Sequence, residues 1–136
     1  MKVFIDANLL IYLNVGSTEE VLDLWVRILA GHEPYTSPLV LDEVLWVSRR
    51  KYGVSYGDTA SFLRDEVLPF TTILPVGVEE YVVASHLLGE TRLKPSDALH
   101  VGTMKTNGIT VIASEDEEFD GITGIRRIWI DDRSSI

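Results

Sequence analysis

The chain has 136 residues, 46% of them hydrophobic and 24% charged, and this length and composition predict a single globular domain over residues 1–136. The absence of cysteine excludes disulfides and thiolate metal sites, so any metal must be held by oxygen or imidazole. A formal net charge of −9 argues against a passive nucleic-acid-binding protein, which needs a positive surface to release counterions.

Short apolar runs alternate with amphipathic segments along the chain. In chain order, the pattern predicts a strand at 3–5, helices at 7–13 and 18–30, a strand at 35–37, helices at 39–47 and 55–67, a strand at 71–74, helices at 78–88 and 95–106, and strands at 110–113 and 127–130. Gly31 and Gly89 are expected to end two of these helices, and 131–136 to form a polar tail. About five short strands separated by helices indicate an α/β fold with a parallel sheet.

No targeting or membrane segment is predicted. The first strand follows Met1 almost directly, without a signal-peptide pattern, and no apolar stretch is long enough to span a bilayer. We therefore expect a cytoplasmic protein with no membrane partner.

Four acidic residues lie where a carboxylate is costly to bury. Asp6 closes the first strand, Asp116 follows the strand 110–113, Asp97 opens the helix 95–106, and Glu43 lies in a helix where its neighbours three and four positions away are apolar. An isolated buried carboxylate costs several kcal/mol unless something pairs with it. Ligands of open α/β sheets bind beyond the carboxyl ends of the strands, which is where Asp6 and Asp116 are expected.

A shared divalent cation would satisfy all four carboxylates. At about 4 Å separation and an effective dielectric constant of about 20, each like-charge pair costs roughly 4 kcal/mol. Several such pairs would approach the whole stability of a small domain. Oxygen ligands favour Mg²⁺ or Mn²⁺, and this predicts metal-dependent chemistry on phosphates.

Two of these acids also have a structural interpretation. Asp6 can cap the helix 7–13, and Asp97, at the third position of its helix, meets the positive end of the helix dipole, worth about 0.3–1 kcal/mol. Ser114 and Glu117 have the spacing of a capping box, which would place Asp116 in a first helical turn. These roles are compatible with metal binding.

The residues alone leave two assignments open. Asp42 is surrounded by apolar neighbours as Glu43 is, and by geometry it is an equal candidate. His100 lies one turn after Asp97 on the same helix face, where a core or supporting role is expected rather than a metal-ligand role.

Four segments together resemble the PIN domain, and most of all the small single-domain PIN proteins of the VapC toxin type. The segments are Val3-Phe4-Ile5-Asp6-Ala7-Asn8, Leu41-Asp42-Glu43-Val44, Pro95-Ser96-Asp97-Ala98-Leu99-His100 and Ala113-Ser114-Glu115-Asp116-Glu117-Glu118-Phe119. The resemblance implies a three-layer αβα fold around a parallel sheet. It also implies a ribonuclease that depends on Mg²⁺ or Mn²⁺.

The resemblance also assigns roles to individual residues. It favours Glu43 over Asp42 and gives the metal and catalytic positions to Asp6, Glu43, Asp97 and Asp116. The supporting polar positions fall on Asn8 and on Ser114, where the pattern often has threonine, and His100 stays outside the set. A homodimer or higher homo-oligomer and inhibition by a cognate antitoxin are further implications.

The expected reaction is hydrolysis of single-stranded or loop RNA, in which divalent ions activate water and neutralise charge on the phosphodiester. Candidate RNA contacts are Arg49, Arg50 and Lys51, about 9–12 Å beyond Glu43 on one helix at 1.5 Å per residue, together with Arg92 and Lys94, which precede Asp97. A purely solvated role for these cations is the alternative.

Two other classes of protein fit the sequence less well. A receiver domain needs an acceptor Asp after the third strand and a Lys after the last core strand, a pattern this chain lacks. A phosphotransferase with a strand-end Asp nucleophile wants a second acid two residues on, where this chain has Asn8. An RNA-processing PIN nuclease without an antitoxin, and a PIN module that binds without cleaving, both remain open.

Overall fold

A computed structural model describes residues 1–136, in which five strands form one parallel sheet. The strands are β1 (Lys2–Ile5), β2 (Glu33–Thr36), β3 (Thr72–Ile73), β4 (Val111–Ala113) and β5 (Arg126–Ile128). Their order across the sheet is β3-β2-β1-β4-β5, and every neighbouring pair is parallel. The predicted α/β class and the number of strands are therefore confirmed.

Six α-helices connect the strands. They are α1 (Ala7–Val15), α2 (Glu19–Gly31), α3 (Pro38–Tyr52), α4 (Tyr56–Phe62), α5 (Val78–Glu90) and α6 (Pro95–Thr106). Parallel strands are joined by right-handed crossovers, so connections that run in opposite directions along the sheet lie on opposite faces. The chain moves outward from β1 to β3 through α1–α4 and returns to β4 through α5 and α6, giving the three-layer arrangement.

The reversal of strand order places a crevice between β1 and β4. The chain leaves β1 toward β2 on one side, whereas β4 pairs with β1 on the other, with Ile5 opposite Ala113. Asp6 and Ser114 follow these two residues, so both lie at the carboxyl ends of adjacent strands. Ligands of open α/β sheets bind at such a switch point.

The core is built around the central strand and the α5–α6 pair. Val3, Phe4 and Ile5 are fully buried, as a strand covered on both faces requires. Helix α6 approaches α5 so closely at Gly102 that a Cβ there would lie 2.5 Å from the carbonyl oxygen of Glu80. Only glycine permits this helix contact, which fixes the position of the helix that carries Asp97.

Several predicted boundaries are wrong for local reasons. Gly89 does not end its helix, which continues to Glu90 and is closed by Thr91, whose backbone N–H and hydroxyl both donate to the carbonyl of Leu87. Helix α3 runs on to Tyr52, where Gly53 ends it in the left-handed conformation with φ 71°.

Two further segments differ from the sequence prediction. The predicted helix 55–67 is regular only over α4, and Leu63–Val67 is π-helical. The expected tail contains a 3₁₀ helix, Ile130–Ser135, in which Arg133 contacts Asp23 at 3.2 Å. None of the helices has the length and apolar character needed to cross a membrane.

Candidate active site

Asp6 is the most buried of the candidate acids, at 4% exposure, and both of its oxygens are held. Oδ1 accepts a hydrogen bond from the backbone N–H of Ala7 at 2.8 Å, which is the helix-capping role expected from the sequence. Oδ2 accepts a hydrogen bond from the hydroxyl of Ser114 at 2.6 Å. The strand end and the neighbouring strand thus fix this carboxylate from two directions.

Ser114 connects the two strand ends. Its Oγ accepts hydrogen bonds from the backbone N–H of Asp116 at 3.0 Å and from Nδ2 of Asn8 at 3.3 Å. The amide oxygen of Asn8 accepts from the backbone N–H of Glu115 at 3.1 Å. Asn8 and Ser114, the two predicted supporting residues, are therefore hydrogen-bonded to each other and to the turn that follows β4.

The predicted capping box between Ser114 and Glu117 is wrong. Asp116, not Ser114, caps the 3₁₀ helix Glu117–Gly121, and its Oδ1 accepts from the backbone N–H of Glu118 at 3.0 Å. The hydroxyl of Ser114 donates instead to Asp6, a partner distant in sequence. Asp116 still reaches the cavity, but from a turn and not from within a helix.

Glu43 and Asp97 approach the same place from helices α3 and α6. A cavity of about 240 Å³ is lined by all four candidate acids together with the polar and apolar side chains around them. Its lining residues are Asp6, Asn8, Ile11, Glu43, Val47, Lys94, Ser96, Asp97 and Asp116. Asp42 is exposed to solvent, whereas Glu43 is half-buried, so Glu43 is the acid of α3 that faces the cavity.

The two helix-borne acids carry the electrostatic strain of the cluster. Burial, followed by the negative charges of Asp6, Asp116 and Glu43, raises the pKa of Asp97 from 3.8 to about 7. Burial and the same kind of repulsion also raise the pKa of Glu43. Lys94 is the cation that opposes both shifts, and it does not outweigh them.

His100 lies closer to the acids than the sequence suggested. It is 1% exposed, its Nε2 is 3.7 Å from Oδ1 of Asp6, and neither ring nitrogen has a hydrogen-bond partner. Burial lowers the pKa of His100, while the charge of Asp6 opposes that shift. The ring also contacts that of Phe4, with centroids 5.6 Å apart. His100 therefore lies in the core, as expected, and directly behind Asp6.

These donors suit a hard divalent cation. Potential ligand atoms of Asp6, Glu43 and His100 lie within 4.8 Å of one another, and Asp97 and Asp116 line the same cavity. Carboxylate oxygens are the ligands that Mg²⁺ and Mn²⁺ prefer. Burial, followed by the neighbouring negative charges, raises the pKa of Asp97, and a bound cation would oppose this shift.

The candidate RNA-contacting cations fall into two groups. Lys94 lines the cavity, and Arg92 lines a neighbouring groove with Glu117 and Glu118. Arg49, Arg50 and Lys51 lie in the last turn of α3, outside the cavity. Each of these three contacts an aromatic ring: Arg49 lies 5.3 Å from the Tyr56 centroid, Arg50 5.7 Å from that of Trp46, and Lys51 5.6 Å from that of Tyr52.

Comparison with protein-family models matches residues 3–125 to the PIN domain, so the chain belongs to the PIN domain family. The match covers the strand-end acids, the helix-borne acids and strands β1 to β4 apart from Lys2, and it ends just before β5. A comparison with curated proteins finds no match.

Solved structures share the fold over nearly the whole chain. A chain in the structure of VapBC2 from Rickettsia felis, bound to a DNA fragment from its promoter, has a TM-score of 0.75 at 12% identity, covering 95% of this chain and 98% of that chain. DNA-bound VapBC from Salmonella typhimurium gives 0.75 at 16% identity, with coverage of 96% and 98%. VapC20 from Mycobacterium tuberculosis, a sarcin-ricin loop cleaving toxin, gives 0.70 at 18% identity, with coverage of 91% and 98%.

Proposed function

We propose that this chain is a divalent-metal-dependent ribonuclease and the toxin of a toxin–antitoxin pair. The observation that carries the proposal is the convergence of Asp6, Glu43, Asp97 and Asp116 on one cavity at the switch point of the sheet. Membership of the PIN family supports it, as does the shared fold with a toxin that cleaves the sarcin-ricin loop.

Mg²⁺ or Mn²⁺ would be held by these four carboxylates, where it would activate water and neutralise charge on the phosphodiester. Asp6 is fixed by Ala7 and Ser114, so it offers its oxygens in one orientation. Asn8 holds the Ser114–Glu115 turn in place. The residues of the chain thus set position and charge and supply no covalent nucleophile.

Lys94 is suited to contact the scissile phosphate, because its ammonium group lines an otherwise acidic cavity. Attack of water on phosphorus would form the new P–O bond as the bond to the 3′ oxygen breaks. The products would be a 5′-phosphate and a 3′-hydroxyl.

We further propose a cognate antitoxin as partner, since the VapBC structures from Rickettsia felis and Salmonella typhimurium share this fold. From the resemblance to VapC-type proteins we also propose that the chain forms a homodimer or a higher homo-oligomer. We also propose that the protein acts in the cytoplasm.

Glu43 and its exposed neighbour Asp42 provide a matched test. Glu43→Gln keeps the side-chain volume but removes a charge from the cavity, and we expect it to reduce RNA cleavage in Mn²⁺ by at least about 100-fold, in the range of removing one transition-state-stabilising group. Asp42→Asn should keep most activity. Cleavage of a labelled RNA in Mn²⁺, with EDTA as the blank, measures both.

Equal activity of Glu43→Gln and the unaltered protein would contradict the proposed cavity. If only Asp42→Asn lost activity, the catalytic acid of α3 would be Asp42 and not Glu43. Metal-independent cleavage would contradict the proposed chemistry.

A further inference from the structure

A second cavity differs in character from the acidic one. It has a volume of about 430 Å³, and six of its nine lining residues are apolar. Its apolar lining includes Tyr12, Val15, Tyr52 and Trp129, and Glu115 is its acidic member.

The two cavities share structural elements. Helix α1 presents Asn8 and Ile11 to the acidic cavity and, one turn further on, Tyr12 and Val15 to the apolar one. The turn after β4 contributes Asp116 to the acidic cavity and Glu115 to the apolar one. A group seated in the apolar cavity would therefore lie about one helical turn, or roughly 5.4 Å along α1, from the acidic cavity.

Charged groups of opposite sign accompany the aromatic surface. The hydroxyl of Tyr12 donates to Oε2 of Glu115 at 2.5 Å, and this hydrogen bond raises the pKa of Tyr12 to about 12, so the hydroxyl remains a donor at neutral pH. A carboxylate has about four acceptor positions, so Glu115 can accept further hydrogen bonds. Nζ of Lys51 lies 5.6 Å from the ring centroid of Tyr52, which lines the cavity.

We propose that the apolar cavity binds the unpaired base of a nucleotide next to the scissile phosphate, and that Glu115 selects guanine. This inference rests on the proposed ribonuclease function and names its substrate specificity. Aromatic side chains stack unpaired bases, and sequence-specific recognition of RNA reads the edges of such bases. Glu115 accepts from the base edge, while Lys51 contacts a flanking phosphate.

Guanine fits this arrangement better than the other bases. Its Watson–Crick edge offers two adjacent N–H donors, which match the two oxygens of one carboxylate. Adenine and cytosine offer one exocyclic amino donor beside an acceptor nitrogen, and uracil offers one N–H between two carbonyl oxygens. A carboxylate placed against those acceptors is repelled.

Nucleotide titrations followed by NMR test the proposal without relying on cleavage. The chain has three tryptophans, and among them only Trp129 lines this cavity, so the indole N–H signals of Trp25 and Trp46 serve as internal references. With GMP and UMP as probes, in EDTA, we expect GMP to shift the Trp129 signal and to bind about tenfold more tightly than UMP, the discrimination of one bidentate pair.

Glu115→Gln should abolish this preference for GMP, because a neutral amide presents a donor to one of the two N–H groups. Glu117→Gln is the matched control: it removes the same charge two residues away on a side chain that does not line the cavity, and the preference should survive. Tyr12→Phe should weaken the preference, since the carboxylate loses its positioning donor.

Equal responses to GMP and UMP, or a preference for GMP that persists in Glu115→Gln, would overturn the proposal. A Trp129 signal that responds to an amphipathic peptide and to neither nucleotide would assign the cavity to a protein partner and would also overturn it. Both outcomes are separate from the ribonuclease proposal, because metal-dependent cleavage with no selectivity for guanine would leave that function standing. Conversely, selective GMP binding by a protein that cleaves no RNA would point to a base-binding module.

Discussion

Asp6 and Asp116, which follow strands β1 and β4, accept hydrogen bonds from the protein, whereas Glu43 and Asp97, on helices α3 and α6, have no such donors. The strand-end pair is fixed by backbone and side-chain donors that the protein itself supplies. The helix-borne pair is held by the packing of its helices and carries raised pKa values. One half of the site is preorganised by hydrogen bonds, and the other half remains electrostatically uncompensated.

This difference shows how a cluster of acidic side chains can be built without unfolding the protein that bears it. Four unsatisfied carboxylates would cost more than a small domain can supply. Two are satisfied locally, so repulsion is concentrated on the two that sit on rigid helices. Substitutions in the two halves should therefore change stability in opposite directions.

The largest expected effect on stability comes from Ser114→Ala in the strand-end half. The substitution removes the donor to Asp6 and the acceptor of two N–H groups, and leaving buried polar groups unpaired costs about 2–3 kcal/mol. Thermal unfolding in EDTA should show a Tm lower by roughly 10 °C for a domain of this size.

Ser85→Ala is the control for this comparison. Ser85 is exposed on α5 and donates only to the carbonyl of Val82, so its loss should change stability by less than about 0.5 kcal/mol. Equal effects of the two alanine substitutions would mean that the strand-end network contributes no special stability.

A smaller effect of opposite sign is expected in the helix-borne half. The folded-state pKa of Asp97 is about 7, above its ordinary value of 3.8, so the folded protein binds more protons than the unfolded chain between these two pH values. Stability without metal should therefore fall as the pH rises through this window.

Asp97→Asn removes this titration and should flatten the pH dependence. The expected gain over the unaltered protein at pH 8 in EDTA is about 1–2 kcal/mol, discounted because the carboxylate is partly exposed to solvent. Urea unfolding across the pH range measures it. A variant that is less stable than the unaltered protein at pH 8 would contradict the uncompensated charge of this half.

Metal should relieve the same repulsion. With Mn²⁺ at about ten times its dissociation constant, linkage predicts a gain of about 1.4 kcal/mol, or a few degrees in Tm. Asp97→Asn should reduce the difference between scans in Mn²⁺ and in EDTA. Identical scans of the unaltered protein in the two conditions would exclude a shared metal site.

The strength of local signals explains which parts of the fold the sequence predicted. Helix α6 runs from Pro95 to Thr106 as predicted, because a proline at its first position and Asn107-Gly108 after its end both act locally. Gly89 was misleading because glycine is tolerated inside a helix, and the closing hydrogen bonds came from Thr91. Helix propensity alone could not show which residue would donate the hydrogen bonds that close α5.

The sequence predicted those parts of the candidate site that depend on residue type, which are its acidic side chains. The four acids were identified from their cost of burial and from the family pattern, and the structure places all four around one cavity. The hydrogen bond from Ser114 to Asp6 joins residues far apart in the chain, so the local capping signal gave the wrong partner. The position of His100 behind Asp6 likewise depends on how α6 packs against β1.

The last prediction concerns how so acidic a chain would bind the proposed RNA substrate, and it has the smallest expected effect. Arg49 and Arg50 are exposed at the end of α3, where each contacts an aromatic ring and neither pairs with an acid. If both contact phosphates of a single strand, charge reversal at both should reduce the slope of log affinity against log salt by about 1.4, at about 0.7 per contact. The melting difference between Mn²⁺ and EDTA should not change, because neither residue lines the acidic cavity.

Arg126→Glu is the matched control for this charge reversal. Arg126 is the first residue of β5 and lies next to Met1. It is therefore at the amino ends of the strands, whereas the acidic cavity is at their carboxyl ends. The Arg126→Glu substitution makes the net charge more negative, as the double reversal does, but at a position away from the proposed RNA contacts. It should therefore lower RNA affinity only through the overall electrostatic potential of the protein and leave the slope of log affinity against log salt nearly unchanged. An equal slope in the Arg49/Arg50 double variant and the unaltered protein would show that these side chains are solvated helix-end charges favoured by the helix dipole. RNA would then be held by groups other than these two side chains.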